Sequence, residues 1–233
     1  MTYQTNNIIV NKRISDCYSH GGTILDLSNL SFLNLTTLPD NLPTDLHTLD
    51  CYRNNLTTLP NNLPKNLHTL NCYGNNLTTL PNNLPKNLKV LYCSKNSLTT
   101  IPNNLPVNLH TLHCYGNNLT TLPNNLPNNL KVLNCSRNNL TTIPNNLPTN
   151  LHTLYCSENN LTILPIELFH IKDRIIYGNN TDHVLRLFQK NAYHRIMKWY
   201  NIRKTINRTL VAKKLYDNTL LPKDICILIG GMT

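Results

Sequence analysis

Three kinds of chemically capable side chain recur in this chain at one fixed step. Cysteine stands at Cys51, Cys72, Cys93, Cys114, Cys135 and Cys156, and thiolates bind metals or form disulfides. A second row is imidazole or ammonium: His47, His68, Lys89, His110, Lys131 and His152. Imidazoles bind metals and titrate near neutral pH. A third row reads Asp50, Asn71, Tyr92, His113, Asn134 and Tyr155. Beside it stand Tyr52, Arg53, Tyr73, Lys95, Tyr115 and Arg137. Tyr and Arg are common anchors of protein recognition, whereas Lys alone is not.

Metal and catalytic chemistry find little support in these rows. The cysteines contain no C-x-x-C pair. The histidine row breaks at Lys89 and Lys131, and no carboxylate stands beside it. His110 and His113 have the spacing of helical ligands, but their segment reads as strand. Between residues 46 and 164 the only acids are Asp50 and Glu158. No paired carboxylates, glycine-rich phosphate loop or G-x-S-x-G element is present. The expectation is a non-enzyme with no metal and no cofactor.

The element that carries these rows is a repeat. LHTLDCYRNNLTTLPNNLPKN begins at Leu46 and recurs at Leu67, Leu88, Leu109, Leu130 and Leu151. The unit is L-x-x-L-x-C-x-x-N-N-L-T-x-L-P-x-x-L-P-x-N, a period of 21 residues. Asn54, Asn75, Asn96, Asn117, Asn138 and Asn159 keep the step without slippage. Degenerate copies flank it: Ile24-Leu25-Asp26-Leu27-Ser28 and Leu35 to Pro39 upstream, and Ile175, Tyr177 and Asn180 downstream. Six regular coils and a partial coil at each end are expected, because end units face solvent and depart from consensus. Residues 67–108 and 109–150 also match as blocks of two coils, a sign of duplication.

The L-x-x-L-x-[LC]-x-x-N core resembles the leucine-rich repeat family over residues 24–180. The short unit with Leu-Pro-x-x-Leu-Pro is similar to the type found in secreted bacterial effectors. The Asn-rich wording resembles leucine-rich repeat proteins of giant amoeba-infecting viruses. The resemblance implies a repeat solenoid of α/β type: a parallel sheet with one strand per coil, whose concave strand face binds a partner protein. Leucine-rich bacterial ligases carry a large catalytic domain after their repeats. Only about 50 residues follow here, so that likeness stops at the repeats.

Within each coil, Leu46, Leu49, Cys51, Leu56, Leu59 and Leu63 are expected to point inward. Inward Leu49 and Cys51 alternate with outward Asp50, which is a strand signal. The row of Cys then reads as small buried thiols, since free Cys packs as a hydrophobe. The row of Asn is expected to bond backbone groups in the turn after each strand. Two prolines per coil, such as Pro60 and Pro64, lack N–H groups and push their predecessors out of the α region. The convex side should therefore be extended, not helical.

Composition agrees with a repeat. The chain has 233 residues, a net charge of +10 and only 14% charged residues. Leu (42) and Asn (41) dominate, which suits neither an ordinary enzyme domain nor a disordered chain. No apolar run is long enough to span a membrane. Residues 1–23 form a polar N-terminal segment without the apolar stretch of a signal peptide. An intracellular protein with reduced thiols is expected, in host cytoplasm if the viral resemblance holds. Asn-Leu-Thr triplets such as Asn55-Leu56-Thr57 then follow from the repeat rather than from glycosylation. Cys17 and Cys226 lie outside the Cys row, and no role is expected of either.

Composition shifts near Pro165. Residues 165–233 hold 12 Lys+Arg against 5 Asp+Glu. Leu185, Phe188, Ala192, Ile196 and Tyr200 recur at helical spacing. Residues 181–233 are read as a basic helical cap over the end of regular coils 46–171. Its wet face, Lys190, Arg195, Lys198, Arg203, Lys204 and Arg208, is also a candidate nucleic-acid patch. Leu221 to Ile229 resembles the opening of an F-box, which implies a third role as ubiquitin-ligase substrate adaptor. The leading expectation is a module that binds an unknown protein through the second and third rows, His47 to His152 and Asp50 to Tyr155. Nucleic acid is the alternative partner, and no membrane is expected.

Overall fold

The computed structural model describes residues 3–162, Pro165 and the strand Arg174–Ile176. By compactness the chain divides into Met1–Asn180 and Thr181–Thr233. The expected cap, its basic row from Lys190 to Arg208, the F-box-like stretch and Cys226 lie outside the described residues.

Eight three-residue strands form one parallel sheet in chain order. They are β1 (Ile24–Asp26), β2 (Thr48–Asp50), β3 (Thr69–Asn71), β4 (Val90–Tyr92), β5 (Thr111–His113), β6 (Val132–Asn134), β7 (Thr153–Tyr155) and β8 (Arg174–Ile176). Register follows the repeat: Leu25 pairs Leu49, Leu49 pairs Leu70, and the row continues to Leu154 with Ile175. Each step along the sheet is one coil. The leucine-rich solenoid expected from the sequence is the fold observed.

The inward row is as the alternation requires. In β2 to β7 the central Leu is buried and its two neighbours are half-buried. Leu46, Leu49, Cys51 and Leu56 are fully inaccessible, and Leu59 and Leu63 nearly so. Burying each such Leu removes a side chain worth about 1.5–3 kcal/mol from water. From Asn34 to Thr162 no helix is formed among the described residues. Instead a tight turn closes each return: Leu67 N–H donates to Pro64 O at 3.1 Å, and the equivalents at Leu88, Leu109, Leu130 and Leu151 do the same.

The Asn row explains how the turn after each strand is satisfied. Asn117 is buried. Its side-chain amide donates to Cys114 O in its own coil at 2.9 Å and to Cys93 O in the preceding one at 3.1 Å. Its carbonyl accepts from Leu98 N–H at 3.0 Å. Asn54, Asn75, Asn96, Asn138 and Asn159 repeat this bridge. A buried backbone group without a partner is costly. One side chain therefore staples two coils at the point where the strand ladder ends.

The N-terminal segment differs from expectation. Residues described there as a polar stretch form helix α1 (Tyr3–Ser19), which contacts β1. Val10, Ile14 and Cys17 are buried, a spacing of four and three that puts them on one helix face. Cys17, for which no role was expected, donates its thiol toward Gly22 O at 3.2 Å. Gly21 ends the helix in the left-handed region (φ +57°), with Gly22 N–H donating to Cys17 O and Gly21 N–H to Tyr18 O. These are the two bonds of a Schellman cap. Gly22 has no room for a side chain, because a Cβ there would sit 3.0 Å from Cys17 O. Arg13 fastens the helix to the sheet edge by donating to Asp26 O at 3.0 Å. The first coil is longer, since Ile24 pairs with Thr48, and the 3₁₀ turn Ser31–Leu33 takes up the excess.

This helix seals the apolar edge that β1 and Leu25 would otherwise expose. Ile14→Ala is expected to cost about 2–4 kcal/mol, as large-to-small core changes do. Urea unfolding measures it, and a loss under about 1 kcal/mol would mean that α1 does not cover the core.

Candidate functional site

The face of the sheet opposite the core is built from alternate residues. Strands span the third to fifth residues of each unit. The third row, Asp50, Asn71, Tyr92, His113, Asn134 and Tyr155, therefore lies on the sheet face, half-buried by its neighbours. The His47-to-His152 row does not lie on the strands. It immediately precedes them and lines the N-terminal margin of the sheet. The sequence reading treated both rows as one surface. The structure inserts Thr48, Thr69, Val90, Thr111, Val132 and Thr153 between them, also half-buried.

Contacts along these rows follow the strand spacing. The rings of His47 and His68 meet edge-on with centroids 4.9 Å apart. Burial, the Lys89 ammonium and His47 together hold His68 below the ordinary imidazole value. Tyr92 and His113 meet edge-on at 5.0 Å, and burial also lowers His113. Asp50 is engaged internally: its carboxylate accepts from Tyr52 N–H at 3.0 Å and from the Asn71 amide at 3.1 Å. No group of three metal-ligating side chains occurs among the described residues.

The six Cys of the row are buried and form no disulfide, as expected of packed thiols. Burial pushes Cys72, Cys114 and Cys156 up to about 12, and Cys51, Cys93 and Cys135 well above their ordinary value. Cys51 donates to Asn71 O at 3.3 Å and Cys93 to His113 O at 3.4 Å. Protonated thiols of this kind are not nucleophiles.

A concavity on this side lies at the C-terminal margin of the strands. An open depression of about 330 Å³ is lined by Tyr52, Arg53, Tyr73, Tyr92, His113 and Tyr115, with Asn71 and Ser94. The two-coil period shapes it. Tyrosine at 52, 73 and 115 leaves Ser94 as the small residue between two rings. Tyr73 and Tyr115 therefore meet across that coil, centroids 6.1 Å apart, with Tyr115 O–H donating to Tyr73 Oη at 3.1 Å. Lys95 Nζ lies 5.5 Å from the Tyr73 ring centre, and Arg53 Cζ lies 5.2 Å from that of Tyr52. Hydrogen bonds with Lys95 and Tyr115 hold Tyr73 below the usual tyrosine value. Burial, with the hydrogen bond to Tyr73, pushes Tyr115 up to about 12.

One feature of this margin was missed from sequence. The residue before each bridging Asn is left-handed: Arg53, Lys95, Arg137 and Glu158 (φ 51° to 55°), and Gly74 and Gly116 (φ 66° and 64°). Two glycines at the same place in the unit were the available signal.

A family model of the leucine-rich repeat matches residues 66–86, 87–107 and 129–149. The leucine-rich repeat domain of a Shigella effector is 30% identical, with a TM-score of 0.57 over 67% of this chain and 78% of that domain. The chain belongs to the leucine-rich repeat family. YopM, a leucine-rich effector protein from Yersinia pestis, is also 30% identical, with a TM-score of 0.60 over 75% of this chain. The leucine-rich repeat chain of FLRT2, from an octameric complex with latrophilin 3 and Unc5D, is 27% identical, with a TM-score of 0.58 over 68% of this chain. This repeat protein spans 54% of YopM and 52% of that FLRT2 chain. No curated protein matches it. Among the described residues, no helix of the repeat protein is long and apolar enough to cross a membrane.

Proposed function

We propose that the chain is a non-enzymatic recognition module whose strand face holds another protein. The observation that carries this is the depression at the C-terminal margin of the strands, where four tyrosines, a histidine and an arginine converge. Tyrosine and arginine offer large contact areas with polar ends and dominate binding hot spots. The row Asp50, Asn71, Tyr92, His113, Asn134 and Tyr155 continues that surface across the sheet, and His47, His68, Lys89, His110, Lys131 and His152 form its far margin. The assembly of the FLRT2 repeat with other proteins supports the same reading. Seven cysteines outside any disulfide among the described residues support a reducing, intracellular setting.

The test is affinity capture from nuclease-treated lysate with the intact chain and with a variant carrying Tyr73→Ala, Tyr92→Ala, His113→Ala and Tyr115→Ala. A protein retained by the first and lost by the second, at equal helical and strand content by circular dichroism, is expected. Hot-spot truncations of this kind each cost about 2 kcal/mol or more, so the loss should be complete. Identical captures by the two proteins would remove the strand face as the binding surface.

A further inference from the structure

We infer that the partner seated on this face presents an acidic polypeptide segment, with one of its carboxylates held between Tyr73, Tyr115 and Lys95. The inference rests on the strand-face reading above and specifies its ligand.

Charge complementarity is the first ground. The two margins of the sheet are both basic. One carries His47, His68, Lys89, His110, Lys131 and His152, and the other Arg53, Lys95 and Arg137. They are six residues apart, about 20 Å of extended chain at roughly 3.3 Å per residue. Acids sit only at the ends. Asp26 and Asp50 lie on the first two strands, and Glu158 on the seventh coil, where it pairs with Arg137 at 3.0 Å. The stretch between, from Asn71 to Asn134, has no carboxylate at all. Among the described residues neither Arg53 nor Lys95 forms an ion pair; both lie against tyrosine rings.

Backbone conformation is the second ground. Arg53, Lys95 and Arg137 occupy left-handed positions that the same array fills with glycine at 74 and 116. A side chain there costs roughly 1–2 kcal/mol that glycine avoids. Three of the four side chains held there are cations, and the fourth, Glu158, pairs with Arg137. The cation stems lie against those glycines: a Cβ on Gly116 would be in ordinary contact with Lys95 Cγ at 3.5 Å, and one on Gly74 with Arg53 Cγ at 3.5 Å.

Ring placement decides between an acidic peptide and nucleic acid. Single-stranded nucleic acid is held by bases stacked on open aromatic faces. Here the Tyr73 face is shared with Lys95, the Tyr52 face with Arg53, and the rings tilt against one another at 44° and 54°. Tyr73 and Tyr115 line the depression, and Lys95 stands against the Tyr73 ring. With the Tyr115 proton given to Tyr73 Oη, the Tyr73 hydroxyl and the Lys95 ammonium are the remaining donors, a set suited to a carboxylate.

The probe is a fluorescein-labelled peptide of alternating glutamate and serine, titrated onto the full chain by anisotropy. Its partners in the comparison are the glutamine isostere and an oligothymidylate of equal charge. Saturable binding of the glutamate peptide is expected, with none of the glutamine one. Lys95→Glu should weaken it at least tenfold and Tyr115→Phe severalfold. Glutamate is tolerated there, since Glu158 already adopts that conformation in another coil. The tail variant Lys198→Glu with Lys204→Glu should leave it unchanged. Equal binding of the isostere, tighter binding of the oligonucleotide, or loss in the tail variant but not in Lys95→Glu would each overturn the inference. If the inference alone is wrong, the lysate protein will still be lost by the tyrosine and histidine variant. If the strand-face reading is wrong, that dependence disappears as well.

Discussion

Raising the pH from 8 to 10 is expected to lower the stability of this protein markedly. The cause is the row of six buried thiols. An ordinary thiol has a value of 9.0, whereas Cys72, Cys114 and Cys156 stand at about 12 and the other three are also raised. A folded value above the unfolded one means that the unfolded chain gives up protons first. The stabilisation is therefore whole below pH 9 and is lost as pH rises toward the folded values. At pH 10 each of the three thiols at about 12 contributes a loss of roughly 1 kcal/mol, and the other three add to it in the same direction. Against a typical domain stability of roughly 5–15 kcal/mol that is a large share. Thermal melts by circular dichroism between pH 7 and 10.5 should be flat to about pH 8.5 and then fall steeply. Replacing Cys72 and Cys114 by alanine should reduce the slope by about 1.4 kcal/mol per pH unit for each thiol removed, which separates thiols from other titrating groups. An unchanged slope would show that the row does not control alkaline stability. In keeping with the same burial, a bulky maleimide at pH 8 should label the six only after denaturant is added. Six fast-reacting thiols in the native protein would refute their burial.

Asn117→Ala is expected to cost roughly 2–4 kcal/mol, because three buried backbone groups each lose a bond: Leu98 N–H is left without its acceptor, while Cys93 O keeps Asn96 and Cys114 O keeps Asn138. Those groups are the carbonyls of Cys93 and Cys114 and the N–H of Leu98. Asn117 is 7% exposed and the Leu and Cys around it are inaccessible. Asn117→Asp should be no better: it keeps the acceptor but turns a charge toward two carbonyls. Asn118, next in sequence, is exposed, so Asn118→Ala should stay within about 0.5 kcal/mol. Urea midpoints of the three variants make the comparison. Equal effects at 117 and 118 would mean that the bridge is not what holds the coils.

The site is a finer matter than the fold. A single coil of 21 residues cannot bury its own leucines, so the periodic Leu and Cys could only be satisfied by stacking. That is why register, core and the role of the Asn were legible before any coordinates. Two prolines per coil likewise ruled out helices on the return. The third row of variable positions was placed correctly on the strand face, because alternation about Leu49 fixes it. The His47 row was assigned to the same surface, but the strand begins one residue later and leaves it at the margin.

Helix α1 escaped notice although Val10, Ile14 and Cys17 carry its period. A short polar segment has too few apolar residues to declare a helix until a sheet edge is there to cover. The depression was hidden for a different reason. Tyr73 and Tyr115 lie 42 residues apart and touch only because Ser94 separates them with a small side chain on the intervening coil. The chain by itself determined the coil, its core and the faces it offers, since these follow from a repeated local pattern. Tertiary structure alone decided which side chains of different coils converge, and which basic residues are held left-handed beside them, since both depend on how one coil lies against the next.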